Sequence, residues 1–271
     1  HYGADGVRIG MLFLSPAGND LLFDESLCEQ GRNFSNKIWN ALRLVNSWQV
    51  DAELKPSGNN KTTVNWFENR LNEALEQLED HFSKFRMSDA LMTAYKLTWD
   101  EFSSWYLEMV KPEYQQPIDR ETYERTVYFF ETLMKILHPF MPFITEEIWH
   151  QLRTRRQGED IIVAYYPKPG KFKAELLKHF DLEREVIIAI RNERVNKNIS
   201  PREKIVLYVR KNHGQQPNTY FDEVVIKMGN LAELRYTEEK IDGAASFIVG
   251  STEFFIPLEA ETIDITAEIL R

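Results

Sequence analysis

Two prolines in the segment Leu137–Leu152, three residues apart, constrain the fold of this chain more than any other feature. The residue before a proline is driven towards extended conformations, so the pair His138-Pro139 ends a helix. Pro142 can occupy the first turn of the next helix, where its missing N–H costs nothing. The apolar residues spaced for burial around it are Phe140, Phe143, Ile144, Ile148 and Trp149. The segment therefore predicts a rigid corner between two packed helices.

Helical patterns lead up to this corner. Apolar residues recur three and four positions apart, and capping or turn residues separate the runs. The predicted helices span residues 26–48, 64–85, 88–110 and 119–137, and a fifth helix follows the corner. Short connections between consecutive helices favour antiparallel packing. The sequence therefore predicts a mainly α fold that begins with an antiparallel helix bundle.

The pattern changes at the polar segment Arg153–Asp160, which we interpret as a hinge. Beyond it, short alternating runs typical of strands are mixed with two helical runs. The predicted strands are Ile161–Tyr165, Ile205–Val209, Leu231–Tyr236, Phe247–Val249 and Phe254–Ile256, and the predicted helices are Leu182–Val195 and Tyr220–Lys227. This order implies a small mixed α/β module with helices on one face of its sheet.

Charge and cysteine content limit the classes of function. The net charge of −9 argues against a protein that coats nucleic acid generally, so any RNA contact must come from a local patch. The single Cys28 cannot form an internal disulfide and fits a reducing cytosol. No apolar run approaches the roughly 20 residues that cross a bilayer. We therefore expect a cytoplasmic protein without a membrane partner.

The sequence predicts neither a catalytic constellation nor a metal site. The six histidines are scattered, and none stands at ligand spacing from another His or from Cys28. The glycines match neither the dinucleotide fingerprint nor the phosphate-binding loop. Asp100, Glu101 and Glu108 could be read as acid–base machinery. Their helical spacing beside aromatic residues favours a solvated face with some buried hydrogen bonds.

The predicted helix Arg32–Trp48 has a polar face that suits RNA. With about 100° between successive residues, one side collects the core candidates Phe34, Ile38, Ala41, Leu42 and Val45. The opposite side carries Asn33, Asn36, Asn40, Arg43 and Ser47, flanked by Lys37 and Trp39. Asn amides suit unpaired base edges, cations suit phosphates, and a Trp ring can stack on a base. An ordinary solvated face, with Trp39 against a neighbouring helix, explains the residues equally well.

A second candidate surface is the segment Ala189–Lys211, where basic residues outnumber acidic ones against the trend of the whole chain. Arg191, Arg194 and Lys197 recur every three residues and can line one side of a helix. Such a line would follow a phosphate backbone. From Arg202 onwards, a solvated surface with salt bridges explains the charges slightly better.

Several motifs together resemble the valyl-tRNA synthetases, a class I aminoacyl-tRNA synthetase family, in the region after the catalytic domain. The motifs are Tyr2–Arg8, Ser15–Asp20 with Phe23–Glu25, Gly31–Asn40, Trp99–Glu108 with Lys111-Pro112, His138–Phe143, and Ile190–Pro201. Gly6 stands where the family usually has alanine. The motifs follow the family's order over nearly the whole chain, which makes the resemblance specific.

The resemblance implies an organisation. Residues 1–27 are the end of a stem-contact segment, 28–156 a helical anticodon-binding bundle, 157–258 the small α/β module, and 259–271 the start of a truncated C-terminal helix. In the complete enzyme of this family, valine is activated with ATP and magnesium and transferred to its tRNA. The family's ATP-binding signatures are absent from this chain. We therefore expect a monomeric fragment that binds valine tRNA, holds no cofactor and catalyses nothing apart from the rest of the synthetase chain.

The candidate tRNA contacts are Arg32, Asn33, Asn36, Lys37, Trp39, Asn40, Arg43, Arg191, Arg194 and Lys197. Two alternatives stay open. The isoleucyl-tRNA synthetases share the bundle and the proline corner, and a helical protein-interaction scaffold could dock a protein partner on its Asn-rich face. Salt dependence separates RNA binding from the scaffold, because phosphate binding weakens steeply with salt.

Overall fold

The chain divides into a first unit, His1–Lys173, and a second unit, Ala174–Arg271. Our computed structural model describes residues 1–13, 24–210 and 217–258. The motif Ser15–Asp20, Phe23, Lys211 and the predicted helix at 259–271 lie outside these residues. Among the described residues, no helix has the length and apolar character needed to cross a membrane.

The first unit is helical, as the sequence predicts. Its α-helices are α1 (Gly3–Phe13), α2 (Glu25–Asn46), α3 (Gly58–Ser83), α4 (Met87–Lys96), α5 (Leu107–Val110), α6 (Arg120–Leu137) and α7 (Pro142–Leu152). A π-helix (Leu97–Tyr106) joins α4 to α5, and a 3₁₀ helix (Ile161–Val163) follows α7. Two short strands, β1 (Val50–Asp51) and β2 (Ile118–Asp119), pair in parallel.

Side-chain caps begin three of these helices. Ser57 Oγ accepts the backbone N–H of Asn60 at 3.1 Å at the start of α3. The predicted cap Asp119 accepts the N–H of Thr122 at 2.7 Å at the start of α6. Asp24 caps helix α2, just before the predicted start of the helix. Its carboxylate accepts the N–H of Ser26 at 2.9 Å. Each cap satisfies a backbone donor that the first turn leaves unpaired.

The predicted helix 88–110 is not a regular α-helix. Its central part is the π-helix, in which Ser103 Oγ donates to Thr98 O and Ser104 Oγ donates to Trp99 O, at 2.8 and 2.9 Å. Helical periodicity had predicted the position of this segment but not its wider turn. Aromatic rings of the π-helix pack into the core, where Phe102 lies 5.4 Å from Phe67 between ring centroids.

The predicted corner is present, and residues of α1 hold it in place. No side chain of α7 itself caps the helix, but Asp5 accepts the N–H of Ile144 at 2.7 Å. Arg8 donates to the carbonyl oxygens of Pro139 and Phe140, each at 3.0 Å. The prediction that Phe143 is buried is wrong, because its side chain lies on the outer face of α7 and is 65% exposed.

Glycines let α1 and α2 approach closely. A β-carbon at Gly31 would lie 2.5 Å from the carbonyl oxygen of Gly6, and one at Gly10 would lie 2.8 Å from the backbone nitrogen of Cys28. One at Gly6 would lie 3.1 Å from the nitrogen of Arg32. Gly6 therefore has a packing reason to replace the alanine that is usual in the resembling family.

The prediction of a strand at Ile161–Tyr165 is wrong, since these residues form the 3₁₀ helix and an extended tail. The N–H of Ile161 donates to Glu146 Oε1 of α7 at 3.0 Å, and the segment that follows bonds to α3. Lys173 N donates to Asn69 Oδ1 and Gly170 N to Asn72 Oδ1, both at 2.7 Å. The units consequently divide after Lys173, beyond the predicted boundary at residue 156.

The second unit is a mixed α/β module, which confirms the predicted fold class. Helices α8 (Ala174–Asn196) and α9 (Asp222–Gly229) accompany the strands β3 (Ile205–Arg210), β4 (Leu231–Thr237), β5 (Ala244–Val249) and β6 (Thr252–Pro257). The strand order is β4-β3-β6-β5, with β3 parallel to β4 and the other pairs antiparallel. Helix α8 buries Leu177, Phe180, Val186, Ile187 and Ile190.

Candidate nucleic-acid interface

The two sides of α2 are arranged as predicted. All five core candidates, Phe34, Ile38, Ala41, Leu42 and Val45, are buried. The polar side carries Asn33, Asn36, Asn40 and Arg43, all exposed. Burial of the apolar stripe positions the helix, so the polar face is held outward by the same packing.

These four exposed side chains are the chemically open part of α2. Within residues 1–13, 24–210 and 217–258, they make no side-chain hydrogen bond or ion pair. Each Asn amide offers two donors and an acceptor, and the guanidinium of Arg43 offers five donors in a planar fork. The face can therefore form hydrogen bonds with an external partner without first breaking internal ones.

The flanking cations have partners within the first unit. Lys37 Nζ donates to Ser104 Oγ at 3.1 Å and lies 4.9 Å from the centroid of the Trp99 ring. Arg32 pairs with Glu29 at 2.7 Å and lies over the ring of Tyr2. Both cations are therefore oriented by neighbours, and a phosphate would compete with or add to those contacts.

Aromatic rings lie under this edge of α2. Trp99 stacks on Tyr95 with centroids 5.5 Å apart and planes 15° apart, and Tyr95 contacts Phe34 at 4.6 Å. Trp39 is half-buried on the opposite flank, in agreement with its predicted partial core position. The sequence does not indicate that Lys37 contacts Trp99 and Ser104. No local signal could have found them, because they lie on the π-helix, far away in sequence.

The predicted role of Arg194 in the second unit is wrong. Its side chain is 5% exposed. Its guanidinium donates to the carbonyl oxygens of Ser200, Glu203, Gly229 and Asn230, at distances of 2.8 to 3.0 Å. Burial lowers the pKa of the guanidinium and the carboxylate of Glu203 raises it. Because these carbonyls take up its Nη1 and Nη2 groups, Arg194 links α8 to the end of α9 and to the turn before β3.

The other basic residues of this segment lie closer to the surface. Arg191 is exposed and donates to the carbonyl oxygen of Met228 at 3.3 Å, while Lys197 is partly exposed. Arg202 and Lys204 are also exposed, and Arg210 pairs with Glu253 at 2.9 Å. Of the three cations predicted to share one side of a helix, only Arg191, on α8, and Lys197, in the turn after it, therefore reach the surface.

Two of the carboxylates that could be read as acid–base machinery, Glu101 and Glu108, form ion pairs. Glu108 pairs with Lys111 at 2.8 Å on the surface, and Glu101 lies 3.7 Å from the guanidinium of Arg70. These ion pairs support the interpretation of a solvated, salt-bridged face.

Comparison with known proteins finds one matching family and relatives that share one name. Residues 64–209 match the family described as the anticodon-binding domain of tRNA ligase. The chain is 51% identical over 270 residues to the valine–tRNA ligase of Porphyromonas gingivalis, covering 100% of this chain and 30% of that protein. It is 47% identical, with the same coverage, to that of Parabacteroides distasonis. The valine–tRNA ligase of Dechloromonas aromatica is 30% identical over 296 residues. The chain thus spans about 30% of the length of these curated relatives.

Proposed function

The chain belongs to the anticodon-binding domains of tRNA ligases, and we propose that it is the part of a valine–tRNA ligase that binds the anticodon region of valine tRNA. The matched relatives are valine–tRNA ligases along the whole of this chain. On this proposal, valine is activated with ATP and magnesium in the larger part of the enzyme, which lies outside the region that this chain covers. The working protein is then a cytoplasmic, monomeric ligase.

The observation that carries the proposal is the open polar face of α2. Asn33, Asn36, Asn40 and Arg43 are exposed, lack partners among the described side chains, and are held outward by a fully buried apolar stripe. Single-stranded loops present unpaired base edges, which amides can read by donating and accepting at once. Exposed Asn residues are poor helix formers, so three of them on one face call for a reason other than helix stability.

Cations around this face supply the sequence-independent contacts. Arg43, Lys37 and Arg32 are placed for loop phosphates, and Trp39 offers an aromatic surface for a base. Arg191 and Lys197 of the second unit are separate candidates for phosphate contacts. The net charge of −9 makes such a local patch the source of RNA affinity.

The names of the relatives favour valine over isoleucine as the amino acid. A protein-interaction scaffold is the remaining alternative and differs in its salt response. Binding through phosphates loses affinity with a slope set by the number of contacts, about 0.7–0.9 per phosphate in a log–log plot. A protein partner on the Asn-rich face would show no such slope.

Asn36→Ala and Asn40→Ala test base reading directly. Each is expected to cost roughly 1–3 kcal/mol in binding of valine tRNA and to flatten the preference for the valine anticodon. Fluorescence anisotropy with valine tRNA and with an anticodon-substituted tRNA measures both quantities. Asn46→Ala is the matched control, since this exposed Asn lies on the same helix away from the polar face.

The melting temperature of each variant shows whether folding is intact, because the substituted side chains lie off the buried stripe. If Asn36→Ala and Asn40→Ala bind both tRNAs as the parent does, with unchanged melting, α2 does not read the anticodon. A separate assay addresses catalysis: the chain alone is expected to give no valine-dependent ATP–pyrophosphate exchange. Exchange above a protein-free control would contradict the placement of ATP chemistry outside it.

A further inference from the structure

Three potential metal ligands converge beside the end of α7. His150 Nε2 lies 3.1 Å from Glu146 Oε1 and 3.1 Å from Asp160 Oδ1. All three ligand atoms lie within 4.8 Å of one another, and no other such group of three or more occurs among the described residues. Glu146 and His150 are one helical turn apart, so they share a face of α7.

The third ligand is brought to this face by a loop with its own attachments. Trp149 Nε1 donates to the carbonyl oxygen of Glu159 at 2.9 Å, and Arg155 Nε donates to the carbonyl oxygen of Trp149 at 3.0 Å. The N–H of Ile161 donates to Glu146 Oε1 at 3.0 Å and orients that carboxylate. Outer hydrogen bonds of this kind fix the ligands of metal sites. The loop geometry therefore does not depend on the three ligands attracting one another.

The distances between the three ligand atoms are compatible with a shared cation. A hydrogen bond from a charged N–H to a carboxylate is usually about 2.7–2.9 Å long. His150 Nε2 lies 3.1 Å from both carboxylate oxygens, which is slightly longer. Ligands about 2.0–2.1 Å from a tetrahedral Zn²⁺ lie roughly 3.3 Å from each other. A single N–H can reach both oxygens only as a shared, bifurcated hydrogen bond, whereas one cation between the three atoms can bind all of them.

We propose that Glu146, His150 and Asp160 bind a divalent transition-metal cation of the Zn²⁺ type, with water completing the coordination. The ligand set of one imidazole and two carboxylates is within the range that Zn²⁺ accepts. The cation would fasten the loop before Ile161 to α7. The spacing of the His and Cys residues does not indicate this site, because two of its three ligands are carboxylates. The site is independent of the proposed tRNA binding.

Isothermal titration of the untagged, metal-free chain with Zn²⁺ near neutral pH tests the site. We expect a component of one ion per chain that His150→Gln and Asp160→Asn each weaken at least about tenfold, since even an outer-shell partner counts for roughly 10–100-fold. His179→Gln is the matched control. His179 also faces a carboxylate one helical turn away, Glu183 at 3.2 Å, but belongs to no such cluster of three.

A pH series adds a second measurement. Zinc binding requires deprotonated ligands, so the affinity should fall as the pH is lowered. Circular dichroism of Asp160→Asn, a loop variant, shows whether lost binding reflects lost folding. The proposal is overturned if the parent binds no Zn²⁺, if His150→Gln binds like the parent, or if His179→Gln loses as much affinity as His150→Gln.

Discussion

The polar face of α2 and the basic side of α8 carry similar kinds of side chains, but their hydrogen bonds differ. On α2, Asn36, Asn40 and Arg43 are exposed and have no side-chain partner among the described residues. On α8, the guanidinium of Arg194 is buried and donates to four backbone carbonyl oxygens. Residue type and spacing thus place a cation on a face, while the neighbouring backbone decides whether its donors are free.

The carbonyl oxygens around Arg194 come from places where regular structure ends. Gly229 and Asn230 close α9, where carbonyl groups lose their helical partners, and Ser200 and Glu203 lie in the turn before β3. A single guanidinium satisfies all four. Helix α2 buries its apolar stripe instead, and its polar face is turned away from that packing.

Arg194→Ala should lower the stability of the α/β module rather than its affinity for RNA. The variant leaves four buried or partly buried carbonyl oxygens without a donor, so the unfolding free energy of the second unit should fall by about 3 kcal/mol. Urea unfolding followed by circular dichroism measures this loss. Arg191→Ala, on the exposed side of α8, should change it by no more than about 0.5 kcal/mol. Normal stability with weakened tRNA binding in Arg194→Ala would reverse the comparison.

Arg43→Ala should do the opposite of Arg194→Ala. Its stability should match the parent, while affinity for tRNA should fall by about 1.5 kcal/mol at low salt, the lower end for hydrogen bonds to charged groups. The slope of log affinity against log salt should decrease by about 0.7–0.9. Lys178→Ala is the control, because Lys178 is an exposed cation of α8 outside the predicted patch. An unchanged salt slope in Arg43→Ala would remove this residue from the interface.

Lys37→Ala should show an intermediate pattern, because Lys37 has partners within the first unit and lies beside the open face. Loss of its position over Trp99 should lower stability by about 0.5–1 kcal/mol. Affinity for tRNA should fall equally for cognate and substituted anticodons if the ammonium contacts a phosphate. Ser104→Ala keeps the charge of Lys37 but removes its hydrogen bond to Ser104 Oγ, together with the bond from Ser104 Oγ to the carbonyl oxygen of Trp99. Equal tRNA losses in both variants would assign the effect to positioning rather than to charge.

The start of α2 gives the smallest predicted effect, a pH dependence. Hydrogen bonds from the Ser26 side chain and backbone lower the pKa of the Asp24 carboxyl from its ordinary value of 3.8. The folded state therefore binds this proton less readily than the unfolded state. Its contribution to stability is present above pH 3.8 and is lost as the pH falls through the lower, folded pKa. Asp24→Asn retains a capping side chain and should flatten the acid side of the unfolding curve relative to the parent. An identical acid profile in both proteins would contradict this cap.

Much of the fold could be predicted because its signals are local. The helices after α1, the cap at Asp119, the proline corner and the strand at Ile205–Val209 all follow from periodicity or from nearby breakers. The resemblance carried by short motifs is confirmed by the family match and by the relatives. The strand at Ile161–Tyr165 failed, because a short apolar run cannot say whether it pairs with a strand or lies along helices.

Contacts between distant segments account for what could not be predicted. Asp5 caps α7, and Arg8 binds the carbonyl oxygens of the corner, although neither residue is near it in sequence. Asp160 reaches His150 only because a loop folds back on α7. The aromatic residues of the π-helix likewise pack against those of α3, which are remote in sequence.

The sequence by itself determined where the helices after α1 lie, which side of α2 is buried, and which family the chain belongs to. Each of these depends on patterns within one element or on short motifs. Only the tertiary structure decided that Arg194 bonds to buried backbone carbonyls and that Lys37 contacts Ser104 and Trp99 of the π-helix. It also decided that Asn36, Asn40 and Arg43 are exposed and have no side-chain partner among the described residues. The physical reason is that a polar side chain can be satisfied by any donor or acceptor within about 3 Å, and folding chooses those neighbours from remote parts of the chain.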